Sequence, residues 1–86
     1  MADRIKLSVV SADGVEFEKM VSYISIPTEL GSVGVLYGHA PMLCAMSEGK
    51  VRCRFGADET SVIPVSGGIA EVRGSQVTLL VSGGKK

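Results

Sequence analysis

Apolar and polar residues alternate through most of this chain, and a period of two commits a polypeptide to strands. "RIKLSVV" at 4–10 puts Ile5, Leu7 and Val9 on one side and Arg4, Lys6 and Ser8 on the other, the spacing of a strand with one buried face. "SADG" at 11–14 reads as a turn, and "VEFE" at 15–18 then sets Val15 and Phe17 against Glu16 and Glu18. "MVSYISI" at 20–26 is rich in β-branched and aromatic residues and runs into Pro27, which closes a strand because it cannot donate to a ladder. In the second half, "KVRCRF" at 50–55 sets Val51, Cys53 and Phe55, expected to face the core, against Lys50, Arg52 and Arg54. A Glu48-Gly49 turn is expected to join it to "PMLCAM" at 41–46 as a hairpin. "TSVIPV" follows at 60–65, Gly67-Gly68 is expected to break the chain, "IAEVR" resumes at 69–73, and "QVTLLV" at 76–81 points Val77, Leu79 and Val81 inward.

Nothing of helical length carries a 3.6-residue period, so no helix is available to cover a parallel sheet. With 86 residues and eleven glycines at the corners, the economical architecture is all-β: an antiparallel β-sandwich of eight to ten strands in two sheets of about five. A domain this small buries only about 60 to 65 percent of the surface its unfolded chain exposes, so its core is thin.

Composition excludes several functions. Nine basic residues balance nine acidic ones, which leaves no basic stripe with interleaved aromatics of the kind nucleic acid needs. No segment approaches the eighteen or so uninterrupted apolar residues of a membrane span, so contact with a membrane is expected only through partners. The start, Met1-Ala2-Asp3-Arg4, leads into the first alternating segment with neither the apolar run of a signal peptide nor the Arg-rich, acid-poor character of a transit peptide. Cys44 and Cys53 lack CxxC spacing and are too few for a disulfide framework. They read as reduced packing residues.

Catalytic equipment is equally sparse. His39 is the chain's one histidine and the sole candidate base for a serine or cysteine nucleophile, and no GxSxG-like motif accompanies it. One histidine with scattered acids makes no zinc site, so no metal is expected. Gly31, Gly34 and Gly38 miss the GxGxxG spacing, and no GK[ST] is present, so no phosphate loop and no cofactor are expected. These glycines, like Gly67-Gly68, read as permitting turns and close backbone approach. Glu71 and Arg73 lie on the outward side of one strand as solvated surface. The same residues also suit a stand-alone β-sandwich binding module, whose glycine-rich end loops hold a small ligand or a peptide. An isolated esterase-like activity built on His39 stands third.

Two stretches carry a family resemblance. "GSVGVLYGHAPML" at 31–43, followed by "PVSGGIAEVRGSQVTLL" at 64–80, resembles the epsilon subunit of F-type ATP synthases, through Gly34, Val35, Gly38, His39, Ala40, Pro41 and Leu43, then Ser66, Gly67, Gly68, Glu71, Val72, Val77, Thr78 and Leu80. The opening "IKLSVVSADGVEFE" at 5–18 also looks like the family's first strand and turn. The resemblance implies a flattened sandwich of ten strands over residues 1–82, and Gly83-Gly84-Lys85-Lys86 themselves read as a flexible, solvated tail at 83–86. It implies a non-catalytic central-stalk subunit of a proton-translocating F-type ATP synthase, which binds the gamma subunit and the c ring and couples ring rotation to ATP synthesis. It places such a chain peripherally on the cytoplasmic side of a bacterial inner membrane, with an organelle-encoded origin as the other possibility.

Residue by residue, the resemblance assigns gamma contact to Ser11, His39 and Cys44, and the c-ring-facing loop to Glu29, Leu30, Gly31, Ser32 and Val33. Gly34, Gly38, Ala40, Pro41, Ser66, Gly67 and Gly68 are its structural motif. Two positions depart from the family pattern. Ser32 stands where members commonly carry Glu, with Glu29 close in sequence, and Tyr37 stands where a proline usually precedes Gly-His. The family usually continues into a C-terminal helical hairpin that inhibits ATP hydrolysis or binds ATP. This chain stops at "VSGGKK" and is expected to do neither.

Overall fold

The alternating stretches form β1 (Ile5–Ser11), β2 (Gly14–Val21), β3 (Tyr23–Thr28), β4 (Gly31–Val35), β5 (Met42–Arg54), β6 (Thr60–Arg73) and β7 (Gln76–Leu80). The computed structural model describes residues 4–56 and 59–81; the expected tail at 83–86 lies outside the described residues. Among the described residues, no helix is long and apolar enough to cross a membrane. The strands make one hydrogen-bonded sheet of seven in the order β2-β1-β7-β6-β5-β3-β4. All neighbours are antiparallel except β1 and β7.

Two long strands explain how one sheet encloses a core. β5 and β6 pair from Met42↔Val72 to Arg54↔Thr60, far beyond the usual strand length of about five or six residues. β7 pairs with Ile69–Arg73 of β6, whereas β3 pairs with Arg52–Arg54 of β5. The sheet therefore has one half built on β2, β1 and β7 and another built on β3 and β4, with β5 and β6 running through both. Counted by half, the expected eight to ten strands correspond to five and four. A single cluster of buried residues draws on all seven strands, including Leu7, Val21, Ile24, Val35, Val51, Ala70 and Leu79.

This continuity corrects two expectations. Glu48 and Gly49 do not turn the chain: they pair with Ser66 and Val65 inside the β5–β6 ladder. Gly67-Gly68 does not break it either, since β6 runs unbroken from Thr60 to Arg73. Glycines there serve a different need. In β6 the core-facing positions are Ile63 and Val65 before the glycines but Ala70 and Val72 after them, and in β5 they change from Cys44 and Met46 to Val51 and Cys53. Odd numbers face inward on one side of the crossing and even numbers on the other. Gly67 and Gly68 sit at this change with φ of 119° and 130°, backbone that side-chain-bearing residues rarely adopt.

Inward alternation otherwise follows the sequence. Ile5, Leu7, Val9, Val77 and Leu79 are buried, with Val81 and Phe55 partly buried against them. Val15 is the exception, 61% exposed. A bulge between Val9 and Val10 shifts its register, so that Val10 rather than Ser11 opposes Val15, and an extra residue in one strand re-aims its neighbours.

Candidate interaction surfaces

His39 lies in the segment between β4 and β5, where Gly38 turns the chain with a φ of 84°. The His39 amide donates to the Leu36 carbonyl at 3.0 Å, and Nδ1 donates to the Ala40 carbonyl at 2.7 Å. A carbonyl can only accept, so this bond fixes the proton of the neutral ring on Nδ1. The imidazole is thus tied to its own loop, with Leu36 and Tyr37 exposed beside it. Among the described residues, no three His, Cys, Asp or Glu side chains are grouped to hold a metal ion.

The other two residues assigned to gamma contact stand apart. Ser11 ends β1 and is nearly buried; its hydroxyl donates to Glu16 Oε2 at 2.6 Å and accepts from the Asp13 amide at 3.1 Å, which pins the β1–β2 turn. Cys44 pairs with Ala70 and is half-buried against the core. β7 and β6 lie between the strands of Ser11 and Cys44, a lateral separation of about 14 Å at the usual strand spacing. Cys44 follows His39 closely along the chain, whereas Ser11 sits on the far side of the same half.

The five residues assigned to the c-ring-facing loop form the β3–β4 hairpin and divide by role. Glu29 and Leu30 make the tip, with Leu30 wholly exposed. Gly31 takes a φ of 115°, and Ser32 pairs with Pro27 while Val33 pairs with Ile26 and packs against the core. Thr28 holds the turn. Its hydroxyl donates to the Gly31 carbonyl at 2.6 Å and accepts from the Leu30 amide at 3.2 Å. Sequence reasoning missed Thr28, although a hydroxyl two residues before a turn amide is the signal of such a loop.

Also missed is a row of apolar residues on the outer face of the larger half. Ala45 pairs with Ile69, Ile69 with Leu80, Leu80 with Val10 and Val10 with Val15, so the row crosses five strands. Ile69, Leu80 and Val15 are exposed along it, and Leu43 beside it is 71% exposed. The next row is polar, running from Glu71 through Thr78 and Ser8 to Glu18, where Ser8 Oγ donates to Glu18 at 3.1 Å and Lys6 pairs with the same carboxylate at 3.3 Å. A contiguous apolar strip rimmed by polar groups is the signature of a contact surface.

Cys53 differs from Cys44. Burial pushes its thiol above the ordinary range, against smaller lowering effects from a Ser61 backbone hydrogen bond and the Lys19 charge. Native protein should therefore alkylate at Cys44 well before Cys53, a difference that vanishes on unfolding; mass mapping after brief labelling checks it. Because the folded state holds the Cys53 proton more tightly, its contribution to stability is intact at neutral pH. It should decline only in the alkaline range, from the pH at which the unfolded thiol ionises up to the raised folded value, where the loss is complete.

The chain matches known proteins along most of its length. The profile of the family described as ATP synthase, Delta/Epsilon chain, beta-sandwich domain matches residues 4–84. The ATP synthase epsilon chain 1 of Thiobacillus denitrificans is 42% identical over 81 residues, covering 93% of this chain and 57% of that protein. The epsilon chain of Anoxybacillus flavithermus is 40% identical over 95% of this chain and 60% of its own length. The chain thus spans somewhat over half the length of these relatives. Among solved structures, a chain of the Euglena gracilis mitochondrial ATP synthase (OSCP/F1/c-ring, rotational state 1) superposes with a TM-score of 0.85 at 24% identity, covering 94% of this chain and 52% of that one. One from the Tetrahymena thermophila mitochondrial ATP synthase (central stalk/c-ring) gives 0.74 at 15% identity, with 91% and 63% covered. Those two likenesses concern the fold.

Proposed function

Because the chain belongs to the ATP synthase delta/epsilon-chain β-sandwich family, we propose that it is a non-catalytic subunit of the central stalk, clamped between the gamma subunit and the c ring. The observation that carries this reading is the exposed apolar row through Ile69, Leu80 and Val15 with Leu43 beside it. A small domain with a thin core leaves such a strip uncovered when a partner covers it. A sheet whose strands share one core resists shear, which suits a body that transmits rotation. The β3–β4 tip, where Glu29 and Leu30 are exposed, offers a second contact point.

In this arrangement Ser11, His39 and Cys44 belong to the gamma-facing side, and Glu29 to Val33 to the ring-facing side. Ser11 acts by shaping the β1–β2 turn beside the apolar row, since its hydroxyl is already engaged. Proton movement drives the ring, nucleotide chemistry occurs on other subunits, and this chain makes and breaks no bond. In a bacterium it sits on the cytoplasmic face of the inner membrane, held there by its partners.

The test is association with a cognate gamma subunit. The unmodified chain should co-purify stoichiometrically, and Leu43→Glu with Ile69→Glu should weaken that binding by tenfold or more, because a buried unpaired charge costs at least about 1.4 kcal/mol. Both positions are exposed in the free domain, so its melting temperature should hardly move. Absence of association at micromolar concentration refutes the proposal, and points to the stand-alone binding module.

A further inference from the structure

We propose a second docking surface on the outer face of the smaller half, centred on Lys50, Arg52 and Arg54 and fitted to an acidic segment of a partner protein. The three residues occupy alternate positions of β5 and all are exposed, so they stand in single file at intervals of about 6.8 Å. Residues opposite them on both sides are uncharged: Ser25 and Tyr23 across the β3 ladder, Pro64, Val62 and Thr60 across the β6 ladder. Arg54 lies over the Tyr23 ring, 5.8 Å from its centre, which steadies the guanidinium above the sheet.

The charges are segregated as well as aligned. Elsewhere on the surface Lys6 meets Glu18 at 3.3 Å and Arg73 meets Glu71 at 3.7 Å. Among the described residues, no carboxylate comes within 4.0 Å of Lys50, Arg52 or Arg54. In a chain of zero net charge, a third of the basic residues thus stand together without an ion pair, and the one carboxylate in the same register of β5, Glu48, ends the file two residues before Lys50. Neighbouring like charges repel, and a line of carboxylates laid along the file relieves the repulsion.

Shape selects the occupant. The charged file is one strand wide with neutral strands on either side, which matches a single polypeptide segment. In an extended segment the carboxylates recur at alternate residues with the same interval, and in a helix they recur about every 5.4 Å. A flat bilayer is met better by cations spread across several strands. Val62, 50% exposed beside Arg52, adds an apolar contact. This face is distinct from the one bearing Leu43 and Ile69, so the inference does not rest on the proposed stalk role.

The experiment uses the full chain and a fluorescent synthetic peptide alternating glutamate and serine, with phosphatidylglycerol vesicles as the second probe. The peptide should bind, weaken steeply with added salt, and lose about tenfold in affinity when Lys50, Arg52 and Arg54 are all replaced by Gln, summing three exposed charge pairs. Arg73→Gln, on the other half, should leave binding unchanged. If circular dichroism shows the triple variant unfolded, Arg52→Gln alone should still weaken binding a few-fold. No peptide binding, binding indifferent to these substitutions, or tighter binding to vesicles than to peptide through the same three residues overturns the proposal.

Discussion

Gly68→Ala should destabilise the domain by about 3 kcal/mol or more. Two causes act together. Its φ of 130° is one that an alanine enters only with strain of roughly 1 to 3 kcal/mol. A Cβ there would also overlap the Leu80 carbonyl oxygen and crowd the Met46 methyl at 3.2 Å. The oxygen belongs to a strand backbone and cannot swing away as a side-chain end could, so β6 and β7 must separate or β6 must lose its change of face. Gly67→Ala supplies the internal control, because its nearest neighbour, the Met46 carbonyl, is 3.7 Å away and only the backbone cost remains. Urea denaturation should rank the two in that order. Equal midpoints would contradict the role given to Gly68.

Leu79→Ala should cost about 3 to 4 kcal/mol, toward the middle of the range for a fully buried leucine. Leu79 has no exposed surface and lies in the ladder between Ala70 and Val9. Ala70 is small, so its neighbour has little bulk with which to fill the vacated space. Against a total stability of roughly 4 to 13 kcal/mol for a chain of this length, the loss is a large share. Phe55→Ala is the comparison. Phe55 is only partly buried and carries Lys19 Nζ 4.4 Å above its ring, so its truncation should cost about 2 kcal/mol, below the range for a buried phenylalanine. Calorimetry on both variants checks the ranking, and a larger loss at Phe55 would mean that the core is centred at the β5–β6 end.

What the sequence disclosed depended on how local each feature is. Ile5, Leu7 and Val9, or Val77 and Leu79, show their facing within a few residues, because one side of a strand meets the core and the other does not. Gly67-Gly68 looked like an interruption because a glycine pair serves equally well as a turn or as a permissive point in a strand that continues. The choice was made by Met46 and Glu48, distant in sequence, which pair with Gly68 and Ser66. The change of face in β5 was hidden for the same reason, since only pairing with β6 carries Cys44 and Cys53 to the inside together.

Surfaces were less legible than strands. The order of motifs from Gly34 to Pro41 and from Ser66 to Val72 pointed to the family later matched over residues 4–84, but motifs do not say which residues end up side by side. Ser11 and Cys44 turned out to lie on strands with two others between them. Ile69, Leu80, Val10 and Val15 form one row only through the ladders that join β6, β7, β1 and β2. The cation file of β5 could be read directly, as alternate residues of one strand; that its flanks are neutral could not.

Coupling is the central claim, and proton pumping measures it most directly. Membrane vesicles carrying the synthase, stripped of this subunit and then given the chain back, should recover ATP-driven acidification, and the chain with Leu43→Glu and Ile69→Glu should fail to restore it. Full acidification without the chain, or recovery with the doubly substituted chain equal to that with the unmodified one, would contradict a stalk subunit that works by gripping its partners.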